Sequence, residues 1–339
     1  MNKAGLKISV ALCTFNGAHY LPGQLESLQL QECPVDEIVC CDDQSTDDTQ
    51  QLFENFALSF NGEARFIKNE TRLGPRLNFE KAISLCTGDF IFLCDQDDHW
   101  FPDKIAQMTG YLYEHPEAGG LFCNGDLMDT EGVSLGETMW DALYFEEALK
   151  KRTTPENLLY YLLLNGNIAT GTAFGFRKEF ISQLLPFFTI SNTWHDHWLA
   201  LVLAAEQKLH FLDKPLLQYR IHPGQQVGFK GRGQSNPGFR HAVHQTWLYR
   251  TQPDPDGLKT THLAWGLMAY DRYAPELMKR LSQTSHLVAT HAQMTNDFRV
   301  VQKTWLRQIP FFKRKWKLLK HWLHGGEYQR IGWKELVNI

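Results

Sequence analysis

Four short strand-like runs, at residues 6–15, 37–41, 64–69 and 90–94, largely apolar except for the third, constrain this chain more than any other feature of it. They are rich in β-branched or aromatic residues, and amphipathic stretches separate them. A run of that length, apolar throughout, suits a strand buried on both faces of a parallel sheet. The intervening "AHYLPGQLESLQLQ" sets Leu21, Leu25 and Leu28 at helical spacing, and "LNFEKAISLC" also reads as a helix. Strands alternating with helices predict βαβ units, right-handed crossovers and a mostly parallel sheet. Ser45 or Thr46 is the expected cap of the second helix.

After residue 98 the rhythm changes. A helix opens near Pro102, a strand fits 118–129, and 137–165 is helical and rich in Leu and Tyr. "NIATGTAFGFRKEF" predicts a strand of small residues followed by a helix, and "HDHWLALVLAAEQ" a strongly apolar helix. "KGRGQSNPG" is loop-like, so one α/β domain is expected over 1–235 and a helical extension over 236–339.

Three of the four strands end in polar chemistry. The first ends at Thr14, Phe15 and Asn16, the second at Asp42 and Asp43, the fourth at Asp95, Gln96, Asp97 and Asp98. Turns favour Asp and Asn for their own reasons. Three such ends on one edge of a parallel sheet are another matter, because ligands gather there. "FIFLCDQDDHW" crowds three carboxylates together, which repel unless one is protonated or a cation sits among them. Asp95 and Asp97 flank one residue, so on an extended segment they share a face. Hard divalent cations such as Mn²⁺ or Mg²⁺ prefer oxygen ligands of this kind.

Hydrophobic content of 43% and charged content of 21% exclude a disordered chain. The seven cysteines all lie between Cys13 and Cys123, odd in number and without a CxxC pair, which predicts a reducing compartment. "KISVALCTF" reads as a first strand and not as a signal peptide, and no apolar stretch approaches membrane-spanning length. A cytoplasmic protein is expected. From Val301 onward nine Lys or Arg face two acidic residues, interleaved with Trp305, Phe311, Phe312, Trp316 and Trp322. That pattern suits an interfacial helix at the inner face of an anionic membrane, with nucleic-acid binding as the competing use and a docked helix as the plain alternative.

"ALCTFNG", "EIVCCDDQSTDDT" and "RLGPRLNFEKAISLCTGDFIFLCDQDDHWFPDK" together resemble the nucleotide-sugar-binding half of family 2 glycosyltransferases, which have the GT-A fold. "GPRLNF", "DQDDHWFPDK" and "YRIHPGQQVG" resemble the rhamnosyltransferase-like members that build bacterial surface polysaccharides. The resemblance spans roughly residues 6 to 230. It implies a nucleotide-binding half over 1–100 and an acceptor half over 101–235, joined to the helical extension. It implies an inverting, metal-dependent transferase that takes a dTDP- or UDP-sugar as donor and a glycan or lipid-linked glycan as acceptor, with Mn²⁺ or Mg²⁺ as cofactor. Nucleic acid is not an expected partner. Asp97 and His222 are then the metal ligands, and Asp95, Gln96, Asp43, Thr14 and Asn16 line the nucleotide sugar. Asp98 assists or caps the next helix. Many relatives carry "ARN" after the third strand; here "GPRLNFEKA" stands instead, so Arg76 or Asn78 is expected to serve at the donor. Arg220 and Gln225 are candidates for phosphate contact. An inverting transferase needs a carboxylate to take the acceptor proton, and Asp196 in the "HD" pair is that base. His195, His197, Trp198 and Thr172 are expected on the acceptor side, and Gly224 to Gly228 form a lid. The alternatives are a nucleotidyltransferase, whose Gly-rich phosphate loop is missing from "TFNGAHYLPG", and a non-catalytic sugar-nucleotide or glycan-binding protein.

Overall fold

The computed structural model describes residues 5–188, 193–225, 237–249, 252 and 258–308. In chain order its elements are β1 (Ile8–Thr14), α1 (Leu21–Gln29), β2 (Glu37–Asp42), α2 (Thr49–Ala57), β3 (Glu63–Lys68), α3 (Gly74–Leu85), β4 (Phe90–Asp95), β5 (His99–Trp100), α4 (Lys104–Glu114), β6 (Gly120–Met128) and β7 (Ser134–Thr138). There follow α5 (Met139–Ala142), α6 (Glu147–Lys150), α7 (Pro155–Asn165), β8 (Phe174–Arg177), α8 (Ile181–Leu184), α9 (His195–Ala205), β9 (Leu209–Arg220), α10 (Pro237–Leu248), α11 (Leu258–Arg280) and α12 (Ser285–Gln308). Two units result. The described residues of Met1–Glu146 and Asn167–Gln234 form the first, and those of Glu147–Gly166 and Ser235–Ile339 the second.

The first unit is built on a mixed sheet in the order β3-β2-β1-β4-β8-β6-β9-β5, with β7 against β6. Its first four strands run parallel, as the apolar runs predict. β1 and β2 are buried at every position and lie between neighbours, whereas β3, at the edge, is partly exposed. The register brings the polar strand ends together: Thr14 lies opposite Asp42, and Cys13 opposite Asp95. The later strands depart from the parallel expectation. β8 runs antiparallel to both β4 and β6, and β5 antiparallel to β9, while β9 returns parallel to β6.

Three local expectations need correction. The second helix starts at Thr49 with Asp48 as its N-cap, so neither Ser45 nor Thr46 caps it. Ser45 instead binds Asp42 through its N–H (2.8 Å) and accepts the Asn16 N–H on its hydroxyl (2.8 Å). The stretch 137–165 is three short helices led in by β7, broken where Thr154 and Pro155 restart the chain. Asp98 does not cap α4, whose N-cap is Asp103.

All seven cysteines are buried free thiols, packed as small hydrophobes. The second unit is helical: α11 packs on α7 and α12, and the Tyr160 hydroxyl donates to Asp297 (2.9 Å). No helix among the described residues is long and apolar enough to cross a membrane. Trp305 is buried in α12; the basic aromatic tail beyond residue 308, and residues 226–228 of the lid expected from Gly224 to Gly228, lie outside the described residues.

Candidate active site

Beyond the carboxyl ends of β1, β2 and β4 lies a cavity of about 610 Å³. Its walls come from five parts of the first unit: the strand ends, the 72–79 segment opening α3, Leu143 after α5, the 167–171 turn with the start of α9, and the end of β9 with the residues following it. That volume is in the range of small-ligand sites.

The floor is acidic. Asp95 and Asp97 line the cavity and Asp98 is buried beneath it. Burial pushes the Asp95 carboxyl well above the usual carboxylate range, and the charges of Asp98, Asp97 and Asp196 raise it further. Asp98 is pushed up to about 8, first by burial and then by Asp97. The same four carboxylates raise the Tyr219 phenol, which burial has already shifted up, so they surround a common space. Their built-in counterion is Lys104. Its side chain is fully buried, its Nζ sits 3.3 Å from the Trp100 ring centroid, and it donates to the Thr172 carbonyl. One lysine, itself pulled down to about 8 by burial, does not neutralise four acids.

A hard divalent cation fits this donor set. His222 Nε2 lies 2.9 Å from Asp97 Oδ2, so both can reach one ion. No three acidic or imidazole ligand atoms on this floor lie within 4.8 Å of one another among the described residues. The protein therefore presents a pair of ligands and leaves most of a shell to other oxygens, the arrangement usual for Mg²⁺-type ions bound alongside phosphate. The pair is fixed from behind. Arg220 donates its N–H to Asp98 Oδ1 (3.0 Å) and its Nε–H to the Asp97 carbonyl (2.8 Å), tying the end of β9 to the end of β4.

Asp43, buried at the end of β2, accepts from Asn69 Nδ2 (3.0 Å), Leu73 N–H (2.6 Å) and Gly74 N–H (2.8 Å). It therefore also folds the 69–74 segment over the cavity. Gly74 adopts φ +77°, a left-handed conformation that favours glycine. This segment places Arg72 over the Phe15 ring, 3.8 Å from its centroid. Gln96 holds Phe15 in place by accepting its N–H (2.8 Å) and donating to its carbonyl (3.1 Å).

Asp196 sits in the first turn of α9, where the helix dipole favours negative charge. Its oxygens accept the N–H groups of His197 (2.7 Å) and Gly171 (3.1 Å). Burial outweighs those bonds and raises its pKa to about 6. His195 stacks on Phe79 with ring centroids 4.1 Å apart. Burial lowers its pKa to about 3, so it is neutral, and neither ring nitrogen has a hydrogen-bond partner among the described residues. A buried donor and acceptor without partners beside a cavity are groups awaiting a ligand. Gly171 permits this close approach, since a Cβ there would meet His195 Nε2 at 3.0 Å.

Of the residues singled out from sequence, Thr14, Asp43, Asn78, Asp95, Gln96, Asp97, His195, Asp196 and His222 line the cavity, with Gln225. Five others do not. Asn16 is exposed and binds the Thr46 N–H through Oδ1 (2.9 Å). Arg76 reaches away to the Phe188 carbonyl (2.7 Å). Thr172 is buried, its hydroxyl accepting from Trp100 Nε1 (3.3 Å). Trp198 is a core residue that donates to the Leu184 carbonyl (3.0 Å). His197 is half-buried off the lining, with its pKa lowered to about 4 by burial. Arg220 spends its guanidinium on the carbonyls of Asp97, Asp129 and Thr130 rather than on the cavity. Trp194, which the sequence pairs with Trp198 as a sugar-stacking wall or as core, lines the cavity; sequence alone missed Arg72, Phe79 and Tyr219, also in the lining and without a local signal.

Comparison with known proteins adds three findings. The family model "Glycosyl transferase family 2" matches residues 9–185. An uncharacterized protein of Mycobacterium tuberculosis is 32% identical over 118 residues, covering 34% of each chain, so the chain spans about a third of that relative's length. A dTDP-rhamnosyl transferase of Shigella flexneri is 25% identical over 232 residues, 64% of this chain and 73% of that one. Among solved structures, S. aureus TarS 1-349 in complex with UDP superposes with a TM-score of 0.49 at 17% identity, covering 90% of this chain and 93% of that one.

Proposed function

The chain belongs to glycosyl transferase family 2, and its first unit has the GT-A fold; from that premise we propose that it is an inverting, metal-dependent glycosyltransferase. It moves a sugar from a nucleoside diphosphate to a hydroxyl of a cell-surface or lipid-linked glycan. The observation that carries this is one cavity lined at once by Asp97 with His222, by Asp43 with Arg72 and Phe15, and by Asp196. The dTDP-rhamnosyl activity in the name of the Shigella relative supports a dTDP-sugar as the first donor to try.

Asp97 and His222 would hold the cation, with Asp95 beside them. When bound, a divalent ion neutralises the charge that builds on the departing diphosphate. Phe15 and Arg72 offer an aromatic and cationic platform for the base, and the remaining acceptor capacity of Asp43 suits an imide N–H. Asp196 takes the proton of the attacking acceptor hydroxyl. At about 6 its pKa leaves it ionised at neutral pH yet basic enough to accept that proton. The N–H groups of Gly171 and His197 fix its direction, and His195 hydrogen-bonds the acceptor.

The test is thermal stabilisation and nucleoside-diphosphate release with a panel of dTDP-, UDP- and GDP-sugars, with and without Mn²⁺. Metal-dependent stabilisation by one donor, followed by turnover with a glycan acceptor, is expected. Indifference to every donor in the presence of Mn²⁺ would refute the proposal.

A further inference from the structure

At the opposite end of β9 from the cavity, three side chains of metal-ligand type converge. His115 closes the C-terminal end of α4, Glu117 lies in the turn before β6, and His210 is the second residue of β9. One ligand atom from each lies within 4.8 Å of the other two. By strand rise His210 is on the order of 30 Å from the Arg220 end of β9 and its acidic floor. None of the three lines the cavity. We propose that His115, Glu117 and His210 form a zinc site, separate from the donor-binding cation.

The donor set decides the metal. Two imidazoles and one carboxylate suit Zn²⁺; nitrogen outnumbers oxygen here, the reverse of the carboxylate-rich floor where a single imidazole joins several acids. The surroundings are those of a supported ligand set. The Tyr111 ring stacks on His115 with centroids 4.2 Å apart and 27° between planes, and its hydroxyl bonds His210 Nδ1 at 3.0 Å. A hydrogen bond on one ring nitrogen is how proteins orient a ligating histidine. His115 and Glu117 are 41% and 54% exposed at the side chain, so an ion enters from solvent and a water can complete four ligands. His210 is buried and anchors the group to the sheet. The ion would clamp the end of α4 and the 115–119 turn to the start of β9.

The experiment titrates the metal-free full chain with Zn²⁺ against a chromogenic chelator. Three proteins are compared: wild type, the double variant His115→Ala/Glu117→Gln, and Asp97→Asn. One zinc equivalent is expected in wild type and in Asp97→Asn, undisturbed by excess Mg²⁺. Binding should weaken by at least ~10-fold in the double variant. Both altered positions are exposed, so the metal-free melting temperature of that variant should match wild type, which separates ligand loss from misfolding. Substituted Co²⁺ should give the visible bands of a four-coordinate imidazole site in wild type and not in the double variant. Zinc affinity unchanged in the double variant, zinc lost in Asp97→Asn, or no zinc equivalent in wild type would each overturn the site.

Discussion

His222 Nε2 lies 2.9 Å from Asp97 Oδ2 across 125 residues of sequence. The contact closes a loop between the ends of β4 and β9, and Arg220 fixes both of its sides. If the pair is the cation site, its members should fail together. Asp97→Asn should abolish Mn²⁺-dependent donor binding. His222→Ala should raise the Mn²⁺ concentration for half-maximal turnover by about 10–100-fold. Manganese titrations of nucleoside-diphosphate release give both numbers, and a His222→Ala curve overlaying wild type would remove the histidine from the site.

Asp196→Asn should keep donor affinity and lose about 10²–10⁴ in kcat, the usual worth of a positioned base. The base acts ionised, and its pKa stands at about 6. Turnover of the wild type should therefore hold above that pH and decline as pH falls through it. A pH–rate profile flat from 5 to 8 would assign the proton to another group.

Without metal, the acidic floor should make stability fall as pH rises. Asp98 titrates near 8 when folded, against 3.8 for an ordinary aspartate. Between those values the folded state binds more protons than the unfolded one, so its advantage is complete below about pH 4 and is lost by about pH 8. Asp95, shifted the same way, adds to the slope. Mn²⁺ favours the ionised carboxylates and should flatten it. Melting temperatures across that range, with and without Mn²⁺, test the sign; a metal-free midpoint that climbs with pH contradicts it.

Lys104→Met should be costly out of proportion to its size. It leaves the buried Asp98 and the floor carboxylates without their only internal cation among the described residues, and removes the bond to the Thr172 carbonyl. Leaving the buried Thr172 carbonyl and the facing carboxylates without this donor and charge costs about 1–3 kcal/mol. Urea unfolding at neutral pH gives the value, and a loss under about 1 kcal/mol would mean that the floor is already neutral through its own protons.

The sequence carries much of this, for definable reasons. A strand buried on both faces must be apolar for five or six residues, so β1, β2 and β4 announce themselves, and their parallel pairing forces Thr14, Asp43 and Asp95 onto one edge. Asp97, His222 and Asp196 were legible because their chemistry is confined to few residue types. Orientation was not. Trp198 and Trp194 lie four residues apart at the start of α9, yet one is core and the other borders the cavity. Arg72, rather than Arg76, faces Phe15 because three bonds to Asp43 bend the segment before α3. Lys104 reads as a solvated helix residue until β4, β6, Trp100 and the 171–173 turn enclose it. Such facts depend on contacts between distant parts of the chain, which no local pattern encodes.

The tight packing at Gly171 bears on how enzymes of this build could diverge. Because any side chain there would crowd the His195 imidazole and, through it, the placement of Asp196, the inner wall has almost no freedom to be retailored. New acceptor preferences would have to arise at the mouth, where Trp194 is 38% exposed. Selection acting on what is glycosylated should therefore leave its variation around the rim and almost none at the centre.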